Sequence, residues 1–257
     1  MRKAFLLMVF ALGFPAFVSG QAALRVAAAA DLEPVLPPVL QEFQKQSGVR
    51  VEATYQASAA LTAQIQNGAP FDLFFSADAQ YPKQLVESGL ADGETLTVYA
   101  HGHLVLWARA DEELELAKKG LQVLTDPRVR KIAIANPELA PYGRAAVAAL
   151  QKSGLYDAVK PKLIYGENIS QAAQFAQSGG AQVGLLALSL TFADSMKNGE
   201  KWEVPENHYP VIEQAAVIIH SSANKKAAQA FLDFVKGREG QQILANYGLS
   251  SGENTPK

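Results

Sequence analysis

The chain has no cysteine, which excludes disulfides, thiol nucleophiles and any zinc site built on thiolates. A charge excess of one sign is missing as well. Its 23 Lys and Arg against 25 Asp and Glu leave a formal charge of −2, which argues against nucleic acid or an anionic membrane as the main partner. No apolar run after residue 20 approaches the ~20 residues that a spanning helix needs. There is no phosphate loop ending in Gly-Lys-Ser/Thr and no Gly-x-Gly-x-x-Gly after a strand. No Gly-x-Ser-x-Gly elbow joins a strand to a helix, so acyl-transfer chemistry of that kind lacks its turn. Internal repeats and low-complexity tracts are also missing.

What is present begins with an export pattern. Arg2 and Lys3 precede an apolar stretch from Ala4 to Val18, and Val-Ser-Gly stands before Gln21. Residues 1–20 therefore read as a signal peptide, too short to span and broken by Gly13 and Pro15. The 237 residues that follow are enough for one large domain or two ordinary ones. Without Arg2 and Lys3 the 23 basic residues become 21 against 25 acidic, so the charge of 21–257 is −4. An exported chain without disulfides has to rest on its apolar core, for which this length has room.

The pattern along 21–257 alternates strand and helix. Leu24 to Ala30 is apolar apart from Arg25, and Asp31 stands where a helix would begin, with Leu32, Val35, Val39 and Phe43 at helical spacing. Pro37 and Pro38 predict an irregular or delayed start, and Gly48 a stop. Val49 to Tyr55 alternates as a strand, and Leu61, Ile65 and Ala69 recur as a helix, with Ser58 at the handover. Ser58 has two readings: an N-cap, or a hydroxyl beside the anion-attracting end of a helix. The same choice arises at Ser76 and Asp78, between the buried strand Phe71 to Phe75 and the helix Tyr81 to Ser88. A second series follows: strands at Leu104 to Ala108, Lys131 to Ala135, Leu163 to Tyr165 and Val183 to Leu188, with helices Arg144 to Lys152 and Gln171 to Gln177. Trp202 to Pro210 reads as a loop, Ile212 to His220 as a strand, and Lys225 to Lys236 as an amphipathic helix. Strands alternating with helices predict an α/β fold with mostly parallel sheets.

Groups that carry chemistry are sparse. His101 and His103 flank Gly102 without the three or four convergent ligands that a metal requires, so they read as a polar turn. Asp72 and Asp78 are explained by strand ends and helix caps rather than as an acid/base pair. What recurs is a neutral polar residue or Gly where a strand meets a helix: Ser58, Ser76, Tyr142-Gly143 and Ile169-Ser170. Ligands of open α/β sheets sit at such strand ends. With no catalytic group, the expectation is an exported binding protein rather than an enzyme.

Several of these stretches resemble the periplasmic molybdate-binding proteins of ABC importers, within the two-lobed solute-binding proteins. The resemblance runs over nearly all of 24–249. It is carried by Val-Ala-Ala-Ala-Ala-Asp-Leu at 26–32, Ser58-Ala-Ala-Leu, and Gly-Ala-Pro-Phe-Asp-Leu-Phe-Phe-Ser-Ala-Asp at 68–78. Asn136-Pro, Pro141-Tyr-Gly, Gly-Glu-Asn-Ile at 166–169, Val-Gly at 183–184 and Asn-Tyr-Gly at 246–248 add to it. It implies two α/β lobes, each a mostly parallel sheet flanked by helices, with lobe one at 21–103 and 214–257 and lobe two at 104–213. Crossing strands are expected near Leu104 and Gln214. It further implies an oxyanion held between the lobes by uncharged donors, no cofactor, a membrane permease as partner, and a periplasmic monomer.

Carried over by residue, Ser58 matches a ligand-binding serine, and Tyr142 and Ile169 fall on main-chain N–H donors, so that the side chain of Tyr142 is expected to matter little. The family's first serine is replaced by Ala30 or Asp31, and its tyrosine by Ala187, with Ser189 two residues on as a substitute donor. Asp31 is expected to cap its own helix and point away; facing the site, it would repel an ionised oxyanion and accept a proton from one such as hydrogen phosphate. Molybdate, with tungstate as a near-isostere, is the expected ligand. Phosphate or sulfate is the alternative, and a phosphate-releasing hydrolase is the rival from another class.

Overall fold

Leu24–Ala29 forms strand β1 with only Arg25 exposed. A strand buried on both faces has to be apolar throughout, and such a strand sits at the middle of a sheet. The computed structural model describes residues 23–252, so the expected signal at 1–20 lies outside the described residues. After β1 the chain makes a 3-10 turn over Ala30–Leu32, and the helix α1 starts only at Leu36, running Leu36–Ser47. This delay agrees with Pro37 and Pro38, which then fall in the first turn where their missing N–H groups cost nothing. Gly48, at φ +71°, ends the helix.

The first half continues with β2 (Val51–Gln56), α2 (Ser58–Gln66), β3 (Leu73–Ser76), α3 (Gln80–Glu87) and β4 (Thr97–Gly102). The second sheet is built next from β5 (Leu104–Ala108), α4 (Leu116–Lys119), β6 (Ile132–Ala135), α5 (Pro141–Lys152), α6 (Tyr156–Val159), β7 (Leu163–Gly166), α7 (Ile169–Gln177), β8 (Val183–Ala187) and β9 (Glu200–Glu203). The chain then returns through β10 (Ile212–Ile218), α8 (Lys225–Lys236), α9 (Arg238–Asn246) and the short β11 (Ser250–Ser251).

Two sheets result, with strand orders β11-β4-β10-β3-β1-β2 and β7-β6-β8-β5-β9. Both are mixed. Strands joined through a helix pair in parallel: β1 with β2 and β3, and β6 with β7 and β8. The strands that enter from the other half, β10 in the first sheet and β5 in the second, pair antiparallel with their neighbours. The sheets are therefore less uniformly parallel than the alternation of strands and helices predicts, because a crossing strand arrives from the opposite end.

Alternation along the strands of the first sheet sorts two apolar layers. Val26, Ala28, Leu73, Phe75, Ala216 and Ile218 pack with α1, α8 and α9, whereas Ala27, Phe74 and Val217 pack with α2 and α3. Phe231 of α8 anchors the larger layer, edge-on to Phe43 at 5.0 Å and to Phe75 at 5.8 Å. Burying such a ring is worth about 2–3 kcal/mol. The core of the second sheet runs on into Ala29, Ala30, Ala57 and Ala77, which stand at strand ends of the first. Small residues there let the two sheets approach closely.

The expected loop from Trp202 to Pro210 overlaps β9. This is an edge strand of alternating exposure, Glu-Lys-Trp-Glu, which only pairing with β5 defines. Among the described residues no helix is long and apolar enough to cross a membrane.

Candidate functional site

The carboxyl ends of the parallel strands of both sheets point toward one small, tightly closed cavity. It is lined by Ala29, Ala30 and Asp31 after β1, Gln56, Ala57 and Ser58 at the start of α2, and Ala77 after β3. The second sheet contributes Ala140, Pro141 and Tyr142 at the start of α5 and Ile169 at the start of α7. Three α-helices and one 3-10 turn thus begin at its wall. First-turn N–H groups have no intrahelical acceptor, so these helix starts bring main-chain donors and positive dipole ends up to the cavity. No Lys, Arg or His lines it.

Hydrogen bonds between the two halves hold the cavity shut. Ser170 Oγ donates to Ala30 O at 2.9 Å, Ser189 Oγ to Asp31 O at 2.8 Å, and Ala59 N to Leu139 O at 3.3 Å. Arg144 of α5 forms an ion pair with Asp78 and donates to Tyr81 Oη at 3.1 Å.

Of the six residues singled out from the sequence, five share this wall: Ala30, Asp31, Ser58, Tyr142 and Ile169. Ser189 does not line it, and its hydroxyl proton goes to the main-chain oxygen of Asp31. Ala187 lies buried inside β8, also outside the lining.

Ser58 is not the N-cap of α2. Ala57 holds that position, and no side chain caps the helix. Ser58 Oγ instead accepts the N–H of Ala77 at 3.1 Å. A hydroxyl that accepts one bond keeps its own proton to donate, and among the described residues Ser58 Oγ donates no hydrogen bond. Neither Ser76 nor Asp78 holds the N-cap position of α3, although Asp78 does take the first N–H of that helix. The N-cap of α3 is Ala79, without a side-chain bond. Ser76 Oγ closes a local turn with Asp78, while the Asp78 carboxylate accepts from Gln80 N at 2.8 Å and pairs with Arg144.

Asp31 departs furthest from expectation. It caps nothing, the 3-10 turn beginning from Ala29 without a side-chain bond, and it is fully buried. Its Oδ2 accepts from Gln214 Nε2 and, at 3.2 Å, from Tyr142 Oη. Gln214 is held in turn by Tyr99, whose hydroxyl donates to Gln214 Oε1 at 2.6 Å. Asp31 Oδ1 is the only buried side-chain polar atom among the described residues that has no partner. Burial pushes the Asp31 carboxyl up from 3.8 to about 6, against the lowering effect of the Gln214 and Tyr142 donors and of its own main-chain N–H. Burial, with the charge of Asp31 added, pushes the hydroxyls of Tyr142 and Tyr99 well above the ordinary tyrosine range. The side chain of Tyr142, from which little was expected, is thus engaged with Asp31 and Gln214. Gly102 leaves room for it, since a Cβ there would collide with the Tyr142 hydroxyl.

Sequence reasoning missed Gln214 and Tyr99. A signal for Gln214 was available: within Ile212–Ile218 it occupies an inward position of the alternation, where a polar side chain is buried only with a partner. A register shift between Gln214 and Ala215 marks a bulge at that point. Its partners Asp31, Tyr99 and Tyr142 lie 183, 115 and 72 residues away, so local pattern does not reveal them.

The letters Gly-x-Ser-x-Gly do occur, at Gly248-Leu249-Ser250-Ser251-Gly252. They follow α9 and enter the edge strand β11, and do not turn from a strand into a helix. His103 Nε2 lies 3.1 Å from Ser250 Oγ, and His103 Nδ1 lies 3.3 Å from Glu206, but Ser250 and Glu206 are both exposed to water. Among the described residues no group of three or more His, Cys, Asp or Glu is placed to hold a metal.

Residues 24–250 match the family model of the bacterial extracellular solute-binding proteins. The chain is 41% identical over 210 residues to the molybdate-binding protein ModA of Rhodobacter capsulatus, covering 80% of this chain and 79% of that one. It is 35% identical over 248 residues to ModA of Azotobacter vinelandii, with 95% and 96% covered. The solved periplasmic molybdate-binding protein of Azotobacter vinelandii superposes with a TM-score of 0.83 at 34% identity, over 90% of this chain and all of that one. The two sheets, the helices flanking them and the cavity between them are thus those of a two-lobed periplasmic binding protein, and the chain belongs to the bacterial extracellular solute-binding protein family.

Proposed function

We propose that this protein is the extracytoplasmic solute-binding component of an ABC importer, taking molybdate and its near-isostere tungstate. The observation that carries this reading is the cavity wall. Helix starts from both sheets converge there with one free hydroxyl proton and no cationic side chain, which suits a small oxyanion held by neutral donors. The ligand class comes from the relatives named for molybdate. Ser58 donates its hydroxyl, and the main chain at Ala30, Tyr142 and Ile169 donates N–H groups. Asp31 and Ser189 shape the wall from behind, through Tyr142, Gln214 and the 3-10 turn.

The lobes in this reading are 21–103 with 214–257, and 104–213. They close on the anion, and a membrane permease recognises the closed form. The protein works as a periplasmic monomer, exported by a cleaved signal, with no cofactor and no reaction of its own.

Asp31 favours a second reading. An unpartnered carboxylate oxygen at an anion cavity accepts a proton from hydrogen phosphate, which molybdate and sulfate lack near neutral pH. Calorimetric titration with molybdate, tungstate, sulfate and phosphate separates the two. Molybdate and tungstate are expected to bind most tightly, and a preference for phosphate or sulfate overturns the assignment of the ligand while leaving the class. A phosphate-release assay is expected to show no turnover. Release that disappears in Ser250→Ala would instead establish a hydrolase.

A further inference from the structure

We propose that Asp31 sets the selectivity of the cavity by carrying a proton: each fully deprotonated oxyanion enters together with one proton, held on Asp31 Oδ1. The inference rests on the oxyanion reading above and adds a chemistry that neutral donors alone do not have.

The geometry leaves one atom for this role. Asp31 lines the cavity and is fully buried, and its Oδ2 is already bonded by Gln214 and Tyr142. Oδ1 has no partner. A carboxylate oxygen and an oxyanion oxygen within hydrogen-bond distance, both ionised and shielded from water, repel each other. The same situation makes two close carboxylates share one proton. Adding a proton from solvent turns Oδ1 from an acceptor into an O–H donor and removes the charge that burial penalises. The balance is simple: the carboxylate and one proton give the carboxylic acid, and the dianion binds with its charge unchanged. Hydrogen phosphate brings its own proton and donates it to Oδ1, so no uptake from solvent is needed.

The surroundings leave that proton to Asp31. Tyr142 of α5 and Gln214 of β10 donate to Oδ2, Tyr99 of β4 stands behind Gln214, and Ser170 and Ser189 bind main-chain oxygens of the turn. Both tyrosines stay protonated, their hydroxyls raised well above the ordinary range. Glu33, on the same turn, is exposed, and the Arg144–Asp78 ion pair across the halves is already matched. No cationic side chain contributes to the titration of Asp31. Burial already raises its carboxyl to about 6, part of the way to protonation at neutral pH.

The test is calorimetry of the whole protein with molybdate near pH 8, in two buffers of different ionisation enthalpy. The expected result is uptake of about one proton per molybdate, with affinity falling about tenfold for each pH unit above neutrality. Hydrogen phosphate, if it binds, is expected to take up close to none. Asp31→Asn, which places an amide donor where the acid would stand, is expected to bind molybdate with no uptake and a flat pH profile. Molybdate binding to the wild type without proton uptake overturns the proposal, as does an Asp31→Asn variant that binds with the same uptake. If none of the four oxyanions binds the wild type, the oxyanion reading itself falls, an outcome distinct from binding without a proton.

Discussion

The two sheets line one cavity with different materials. From the first come side chains with chemistry, the carboxyl of Asp31 and the hydroxyl of Ser58, set after β1 and β2. From the second come helix starts whose side chains, Ala140, Pro141 and Ile169, offer no polar atom. Its one polar side chain at the wall, Tyr142, reaches across to Asp31. In the proposed site one half would thus supply the groups that titrate and discriminate, and the other geometry and dipole. A main-chain donor is insensitive to substitution as long as the helix starts at the same place. A side-chain donor or acid is lost with a single change, and this contrast sets the order of the expected effects.

The largest should come from Asp31. Its carboxyl is raised in the folded chain, so the folded state binds the extra proton between about pH 4 and 6. Above pH 6 the buried charge lowers stability, by about 3 kcal/mol for a shift of this size, and the cost is removed as pH falls through that window. Asp31→Asn has no such charge. The stability of the variant relative to the wild type, from urea denaturation of the ligand-free protein, should be greater by about 3 kcal/mol at pH 8 than at pH 4. A difference independent of pH would place the titration elsewhere.

Next is Tyr142→Phe, which removes a donor from a buried charged group and is expected to lower stability by about 1.5–3 kcal/mol at pH 8. A neutral result in the same denaturation experiment would return Tyr142 to a purely main-chain role. Ser58→Ala is expected to weaken oxyanion binding by roughly tenfold or more, about 1.4 kcal/mol, measured by titration calorimetry. Unchanged affinity would show that helix starts alone suffice. The smallest effect belongs to the second half. Ile169→Val keeps the N–H where it is and should change affinity less than about twofold, within the range of substitutions that leave no polar group unpaired. A loss as large as that of Ser58→Ala would erase the contrast between the halves.

Much of this arrangement was legible without coordinates. Asn168 before Ile169 announces a helix start, and its side chain does accept the N–H of Gln171 at 2.9 Å. The face of Ala228, Phe231, Leu232 and Val235 on Lys225–Lys236 is the buried face. At Ser58 and Asp31 the local rule pointed the wrong way: each is a preferred capping residue, and neither caps. The main chain starts α2 one residue before Ser58, at Ala57, and the 3-10 turn two residues before Asp31, at Ala29, which leaves both polar residues in the cavity lining. Propensity describes which residues cap helices on average. It does not register that an alanine is being used so that a second lobe can approach.

By itself the sequence determined the order of strands and helices, the positions where they meet, and the neutral or small residues at those junctions. Periodicity and turn chemistry act over a few residues, so the chain carries them locally. Only the tertiary structure decided which junctions face one another, that Gln214 and Tyr142 converge on Asp31 from distant segments, and that one carboxylate oxygen is left without a partner. Burial is what gives Asp31 its altered proton affinity, and burial belongs to the packed molecule and to no single stretch of the chain.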